Sequence, residues 1–237
     1  MASQKQLQIT GKIGNIIFYK RGDNYYARSV PVKVKQTKAT KKCSTLFGKA
    51  SAAGKCLRQQ LLPCLPFPRD VNMQVKLVSA ISAWLRSGND PPQPGDEVPF
   101  VNNFQFTEGS SVRERWKVAL QVTKVDEGGL RLTIPSFVPA ASMSAPAGTV
   151  AVKCNIAATA CNVENGITVS GFATSLQFDW NDKEVPEHVV SLPLSVSPGN
   201  LVVTAVYLEY FFVKNGVMQK TTNKAFMPAG VVSAMYL

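Results

Sequence analysis

The sequence predicts a mainly β protein: a C-terminal antiparallel β-sandwich preceded by an N-terminal β-hairpin arm and a two-helix hairpin. Three observations carry this. Period-two alternation of apolar and polar residues recurs through the second half, punctuated by turn dipeptides at hairpin spacing. Helical spacing is confined to two stretches between Thr37 and Gly88. A Gly/Asp/Asn loop near the amino terminus is flanked by β-branched and aromatic runs. With 237 residues, 45% of them hydrophobic, the chain can bury a substantial core. The expected divisions are a basic arm at 1–36, a helical hairpin at 37–88, a Pro-rich linker at 89–103 and the sandwich at 104–237.

In the arm, Leu7 and Ile9 alternate with Gln8 and Thr10, a short strand that Gly11 is expected to end. Gly14-Asn15 is a turn dipeptide. Beyond it Ile16, Ile17, Phe18, Tyr19 and Lys20, then Asn24, Tyr25, Tyr26, Ala27 and Arg28, flank Arg21-Gly22-Asp23-Asn24 as a β-hairpin. An isolated hairpin is marginal in water. This one therefore packs on its own body or on another copy's.

From Lys38 to about Leu62 the period turns helical. Leu46, Ala50, Leu57 and Leu61 form one apolar stripe that also takes in Cys43 and Gly54, with Lys38, Lys42 and Lys49 on the far side. Thr37 or Thr40 serves as N-cap and Pro63 stops the helix. Small residues at Gly48, Ala50, Ala52, Ala53 and Gly54 keep its middle slim enough for close approach. Gly48 to Cys56 imitates a phosphate-binding loop, but it has one residue too many between the glycines. Cys56 stands where a magnesium-binding hydroxyl belongs, and a helix precedes it instead of a strand. A second helix, roughly Asp70 to Arg86, places Met73, Leu77, Ile81, Trp84 and Leu85 on one face, antiparallel to the first.

The body follows. Trp116, Val118, Leu120 and Val122 read as one half-buried strand, and Asp126 to Gly129 turns the chain into Leu130–Ile134. Val150, Val152, Cys154 and Ile156 alternate, as do Leu176, Phe178 and Trp180, and then Val190, Leu192, Leu194 and Val196. Pro193 marks an edge. Asn165-Gly166 and Asn215-Gly216 are the strongest hairpin signals. Leu201 to Val213 is apolar on both faces except at Glu209, so it is a central strand or part of an interface.

Charge is divided unevenly. Residues 1–60 hold 13 Lys and Arg against the single Asp23, a balance of +12, whereas the remainder is −1. Such asymmetry points to a nucleic acid, an anionic membrane or an acidic partner surface, with a solvated, solubilising tail as the alternative. MASQKQLQIT has no apolar core, so no Sec signal peptide is read there and a cytoplasmic location, or release by a signal-independent route, is expected. No window suits a transmembrane segment. Five cysteines without CxxC spacing point to reduced, mostly buried thiols, with a Cys154–Cys161 bridge as the alternative.

Catalytic constellations are sparse. His188 is the only histidine, which removes most histidine-based triads and zinc sites. Asp179, Asp182, Glu184 and Glu187 read as a solvated loop. No enzyme activity, catalytic residue, metal, cofactor or small-molecule substrate is implied.

Thr10-Gly11-Lys-Ile13-Gly14 with Phe18-Tyr19-Lys20 and Tyr25-Tyr26-Ala27-Arg28 resembles the opening of a widespread group of uncharacterised Bacteroidota proteins. Phe47-Gly48 through Gly54-Lys55-Cys-Leu57-Arg58, Ile134-Pro135 through Pro139-Ala140 with Ala145 to Thr149, and the Glu209 to Gly216 hairpin resemble it too, in order. Cys56 and Asn15 depart from the group's pattern. The resemblance implies the architecture and no activity.

Two functional expectations result. The first is a non-enzymatic structural subunit that self-associates into a polymer or multi-copy assembly, its assembly arm being Ile13, Ile16, Ile17, Phe18, Tyr19, Tyr25 and Tyr26. The second is sequence-nonspecific DNA or RNA binding. Its anionic-partner contacts are Lys20, Arg21, Arg28, Lys33, Lys35, Lys38, Lys41, Lys42 and Lys49, with Tyr25 and Tyr26 as stacking groups.

Overall fold

The structure is a computed structural model that describes residues 2–4, 9–30, 36–66, 70, 72–87, 97–125 and 129–237. Two units divide the chain, 1–43 and 44–237. The division falls inside the first helix, α1 (Lys38–Gln60).

The first unit is an antiparallel sheet. Gly22 and Asp23 close a two-residue loop between β3 (Ile16–Arg21) and β4 (Asn24–Ser29). Gly22 supplies the φ of +61° that such a loop needs at its first position. Gly14-Asn15 joins β2 (Gly11–Ile13) to β3 in the same way, and β1 (Ala2–Gln4) pairs with β4. The order is β1-β4-β3-β2, so the expected hairpin is the centre of a four-stranded sheet. Gly11 opens a strand here instead of ending one, and Leu7 lies outside the described residues.

In the second unit a long central sheet is built from β7 (Thr149–Asn162), β8 (Ile167–Asp179), β10 (Asn200–Lys214), β11 (Val217–Lys220) and β12 (Ala229–Tyr236). Its order is β11-β10-β7-β8, with β12 also on β10. Asn215 and Gly216 both have positive φ and make the tightest of its turns. A smaller sheet, β5 (Gln121–Lys124), β6 (Leu130–Ile134) and β9 (His188–Leu192), stacks on one face. Leu132, Ile134 and Leu192 meet Val152, Ile156, Val206 and Leu208 in that core. This is the expected antiparallel sandwich, and β9 is an edge strand ending just before Pro193.

The other face of the central sheet is covered by α1 and α2 (Met73–Ser87). Leu57, Leu61, Leu77, Ile81 and Trp84 pack there on Ala157, Cys161, Val203, Ala205 and Tyr207. Leu201–Val213 is apolar on both sides because β10 is the central strand, with a core on each face. Arg58 bonds Gln74, and a Cβ at Gly54 would lie 2.9 Å from Val78 Cγ2, so the helices run antiparallel and close together.

Several expectations need correction. The Trp116 segment is not one strand: Val112–Arg115 is a short helix, Trp116 makes an isolated bridge to Met143, and β5 starts at Gln121. Arg115 Nη1 bonds Ser144 and its guanidinium stacks 4.3 Å from the Phe226 ring, contacts that hold the chain off the ladder there. Cys43 is exposed, whereas Ala53 and Cys56 are buried and extend the stripe of α1 sideways. Val98 and Val101, in the expected linker, are fully buried, and Val98 N donates to Ala234 O. The Asp126 to Gly128 turn lies outside the described residues. All five cysteines are free. Cys154 and Cys161, seven positions apart on one strand, face different cores and cannot bridge.

Candidate assembly and anion-binding surfaces

Residues directly opposite across an antiparallel pair share a face, and neighbours along a strand point apart. The registers of the N-terminal sheet therefore sort its side chains. One face carries Ile13 opposite Ile16, Phe18 opposite Ala27 and Lys20 opposite Tyr25. The other carries Lys12 opposite Ile17, itself opposite Arg28, then Tyr19 opposite Tyr26, and Arg21 opposite Asn24. The seven expected assembly residues are thus split: Ile13, Ile16, Phe18 and Tyr25 on the first face, Ile17, Tyr19 and Tyr26 on the second.

The first face is apolar and weakly covered. Ile13 is 60% exposed and Ile16 46%. None of the described residues of 9–30 is buried, so this sheet has no core of its own. Lys20 reaches over the Tyr25 ring at 5.7 Å, which caps the apolar row at one end with a charge.

The second face is aromatic and cationic. Tyr19 and Tyr26 stack with centroids 5.6 Å apart and planes 24° from parallel, and the Arg28 guanidinium lies 5.4 Å from the Tyr19 centroid. Lys12 and Arg21 extend the positive charge along the same face. Lys12 is absent from the contacts expected from sequence, although its alternation with Ile13 was a signal for it. Adjacent residues on a strand cannot share a stack, so Tyr26 pairs with Tyr19 and Tyr25 belongs to the apolar face.

The remaining basic residues sit elsewhere. Thr37 caps α1, its Oγ1 accepting from Thr40 N at 3.1 Å, and Lys38, Lys41 and Lys42 are exposed in the first turns. Lys49 is half-buried and pairs with Glu164 at 2.5 Å, which corrects its expected place on the far side. Lys33 and Lys35 lie outside the described residues. Gly48 to Cys56 is helical throughout, which leaves no loop to cradle a phosphate.

Among the described residues no three His, Cys, Asp or Glu side chains come together as a metal centre. No helix among them is long and apolar enough to cross a membrane. Comparison with protein-family models, with curated proteins and with solved structures gives no match.

Proposed function

We propose that this chain is a non-enzymatic structural subunit that self-associates through the apolar face of its N-terminal sheet. The supporting observation is a four-stranded sheet with exposed Ile13 and Ile16 on one face and no buried residue among those described in 9–30. A sheet with an apolar face must bury it against another layer. The occupant is a second copy. Charge selects which part of that copy, because the +12 balance of residues 1–60 repels its own kind whereas the remainder is near neutral. The second unit offers an apolar edge at Val213, Val217 and Met218, each exposed and placed on or beside edge strand β11. A contact of this head-to-tail kind builds rings or filaments. Membership of the Bacteroidota group belongs to the same proposal, since its motifs fall on the β2–β4 turns and on the packed middle of α1.

Sedimentation velocity tests it. Full-length protein is expected as multimers, and the double variant Ile13→Lys, Ile16→Lys as monomers at the same concentration. Each isoleucine withdrawn from an interface is worth ~1.5–3 kcal/mol, so together they weaken association on the order of 100-fold or more. A monomeric parent, or a variant with unchanged sedimentation, overturns the proposal.

The aromatic-cationic face favours a second reading, single-stranded nucleic-acid binding without sequence specificity. Stacked tyrosines beside Arg28, Lys12 and Arg21 offer a π platform and phosphate contacts together. With a labelled oligo-dT, Tyr26→Ala is expected to cost about 1–3 kcal/mol of binding. Arg28→Gln should flatten the slope of log K against log salt by about 0.7. Anisotropy that stays at the free-probe value in about 50 mM salt, where such binding is strong, removes this reading.

A further inference from the structure

The four buried thiols are not equivalent. Cys64 sits within 3.3 Å of the carbonyl oxygens of Asn155 and Ala205, and burial pushes its pKa well up. Cys154 lies in the sandwich core on the opposite face of the central sheet, and burial raises it as well. Cys56 and Cys161 instead share the helix-facing core. Cys56 Sγ is 3.2 Å from Thr168 Oγ1, and Thr168 is the direct cross-strand partner of Cys161 in the β7–β8 ladder.

The register of α1 over that hairpin is held on both sides of Cys56. Toward its amino terminus, Lys49 pairs with Glu164 and Ala52 seats against Gly166. One turn beyond Cys56, the Gln60 side chain lies against Gly171. Positions 52, 56 and 60 are one stripe at i, i+4 spacing, so Cys56 cannot turn away from Cys161 without lifting the helix. The neighbouring Cys161 thiol, together with the Thr168 hydroxyl, holds the Cys56 pKa below the ordinary thiol value against the opposing effect of burial. The same contact, with burial, pushes Cys161 up. Of the two sulfurs, Cys56 is therefore the one favoured as the thiolate.

We propose that Cys56 and Cys161 are an oxidation site, a dithiol that hydrogen peroxide converts to a disulfide latching α1 to β7. The Cys56 thiolate attacks one peroxide oxygen, forming an S–O bond and breaking O–O, and the departing hydroxide takes up the proton that Cys56 released. Cys56 is then a sulfenic acid. The Cys161 sulfur attacks Cys56 Sγ, forming S–S and breaking S–O, and the hydroxyl leaves as water with the Cys161 proton. Two thiols and one peroxide give one disulfide and two waters. The two sulfurs lose the two electrons that the peroxide oxygens gain. This site lies within the second unit and is independent of the assembly reading.

The test uses full-length protein carrying Cys43→Ser, because exposed Cys43 would otherwise cross-link between molecules. After peroxide treatment, denaturation and alkylation, two of the four remaining thiols should resist alkylation, and peptide mapping should join Cys56 to Cys161. The melting temperature should rise by about 10–20 °C, as expected for a cross-link closing a loop of roughly 100 residues. Dithiothreitol should reverse both changes. In the Cys161→Ser protein, a dimedone probe should instead trap a sulfenic acid at Cys56, a readout that does not depend on the cross-link's stability. Four alkylatable thiols after treatment, or a disulfide that includes Cys64 or Cys154, overturns the proposal.

Discussion

Gly166→Val is expected to cost about 2–6 kcal/mol in folding stability, the largest loss at any turn of the central sheet, because strain and steric clash add there. Gly166 closes the β7–β8 hairpin with a φ of +67°, where its N–H donates to Asn162 O at 2.8 Å. A β-branched residue held there carries ~1–3 kcal/mol of backbone strain. The second contribution is steric. A Cβ at Gly166 would fall on the Ala52 side chain and within 2.8 and 3.0 Å of the Ala52 carbonyl carbon and Cα. Those are helix backbone atoms, which cannot rotate away as a side chain end can. Overpacking of this kind costs ~1–3 kcal/mol.

Gly216 separates the two contributions. It also follows an asparagine, has a φ of +76° and closes a hairpin, yet a Cβ there would have no neighbour within 4 Å. Gly216→Ala should therefore show the strain alone, ~1–2 kcal/mol. Gly166→Ala should exceed it by the helix contact. Urea denaturation reads the difference as a shift in midpoint at constant slope. Equal losses at the two glycines would mean that α1 does not rest on the β7–β8 turn.

What the sequence made legible was whatever depends on neighbours in sequence. Asn215-Gly216 announces a turn because both residues tolerate positive φ, and both have it. The alternation of Leu176, Phe178 and Trp180 holds because β8 is covered on one face, and that of Leu201–Val213 fails because β10 is covered on both. The two helices follow from their apolar stripes. Trp116 misled because a helix and an Arg115 stack interrupt a run whose period is otherwise two. Ala2–Gln4 carries no strand pattern at all, and its pairing is decided by the bare edge of β4. The candidate surfaces were half visible: the basic and aromatic residues were identified, but their sorting onto two faces needed the register set by Gly22-Asp23. The Lys49–Glu164 pair and the Cys56–Cys161 juxtaposition join residues far apart in the chain, and nothing local encodes either.

Leu57→Ala is expected to cost about 3–5 kcal/mol, toward the upper end for a buried leucine. Leu57 is 0% exposed, in the layer where α1 meets the central sheet. How much of the lost side chain becomes a cavity depends on whether the surroundings can collapse into it. Here they are held apart. Three residues earlier Gly54 already brings α1 so near Val78 that no methyl would fit, so the helices cannot close further. On the sheet side, Ala52 is seated on the Gly166 turn and Cys56 on Thr168, so α1 cannot settle toward β7 and β8. The void therefore persists, and in a chain of this size the melting temperature should fall by roughly 6–20 °C. Lys42→Ala, exposed on the same helix, should stay within about 0.5 kcal/mol of the parent. Lys49→Ala removes an ion pair whose glutamate is largely in solvent, worth at most ~1 kcal/mol. Thermal melts of the three variants rank these effects. A Leu57→Ala protein that melts with Lys42→Ala would show that α1 is not fixed by its contacts with α2 and the sheet.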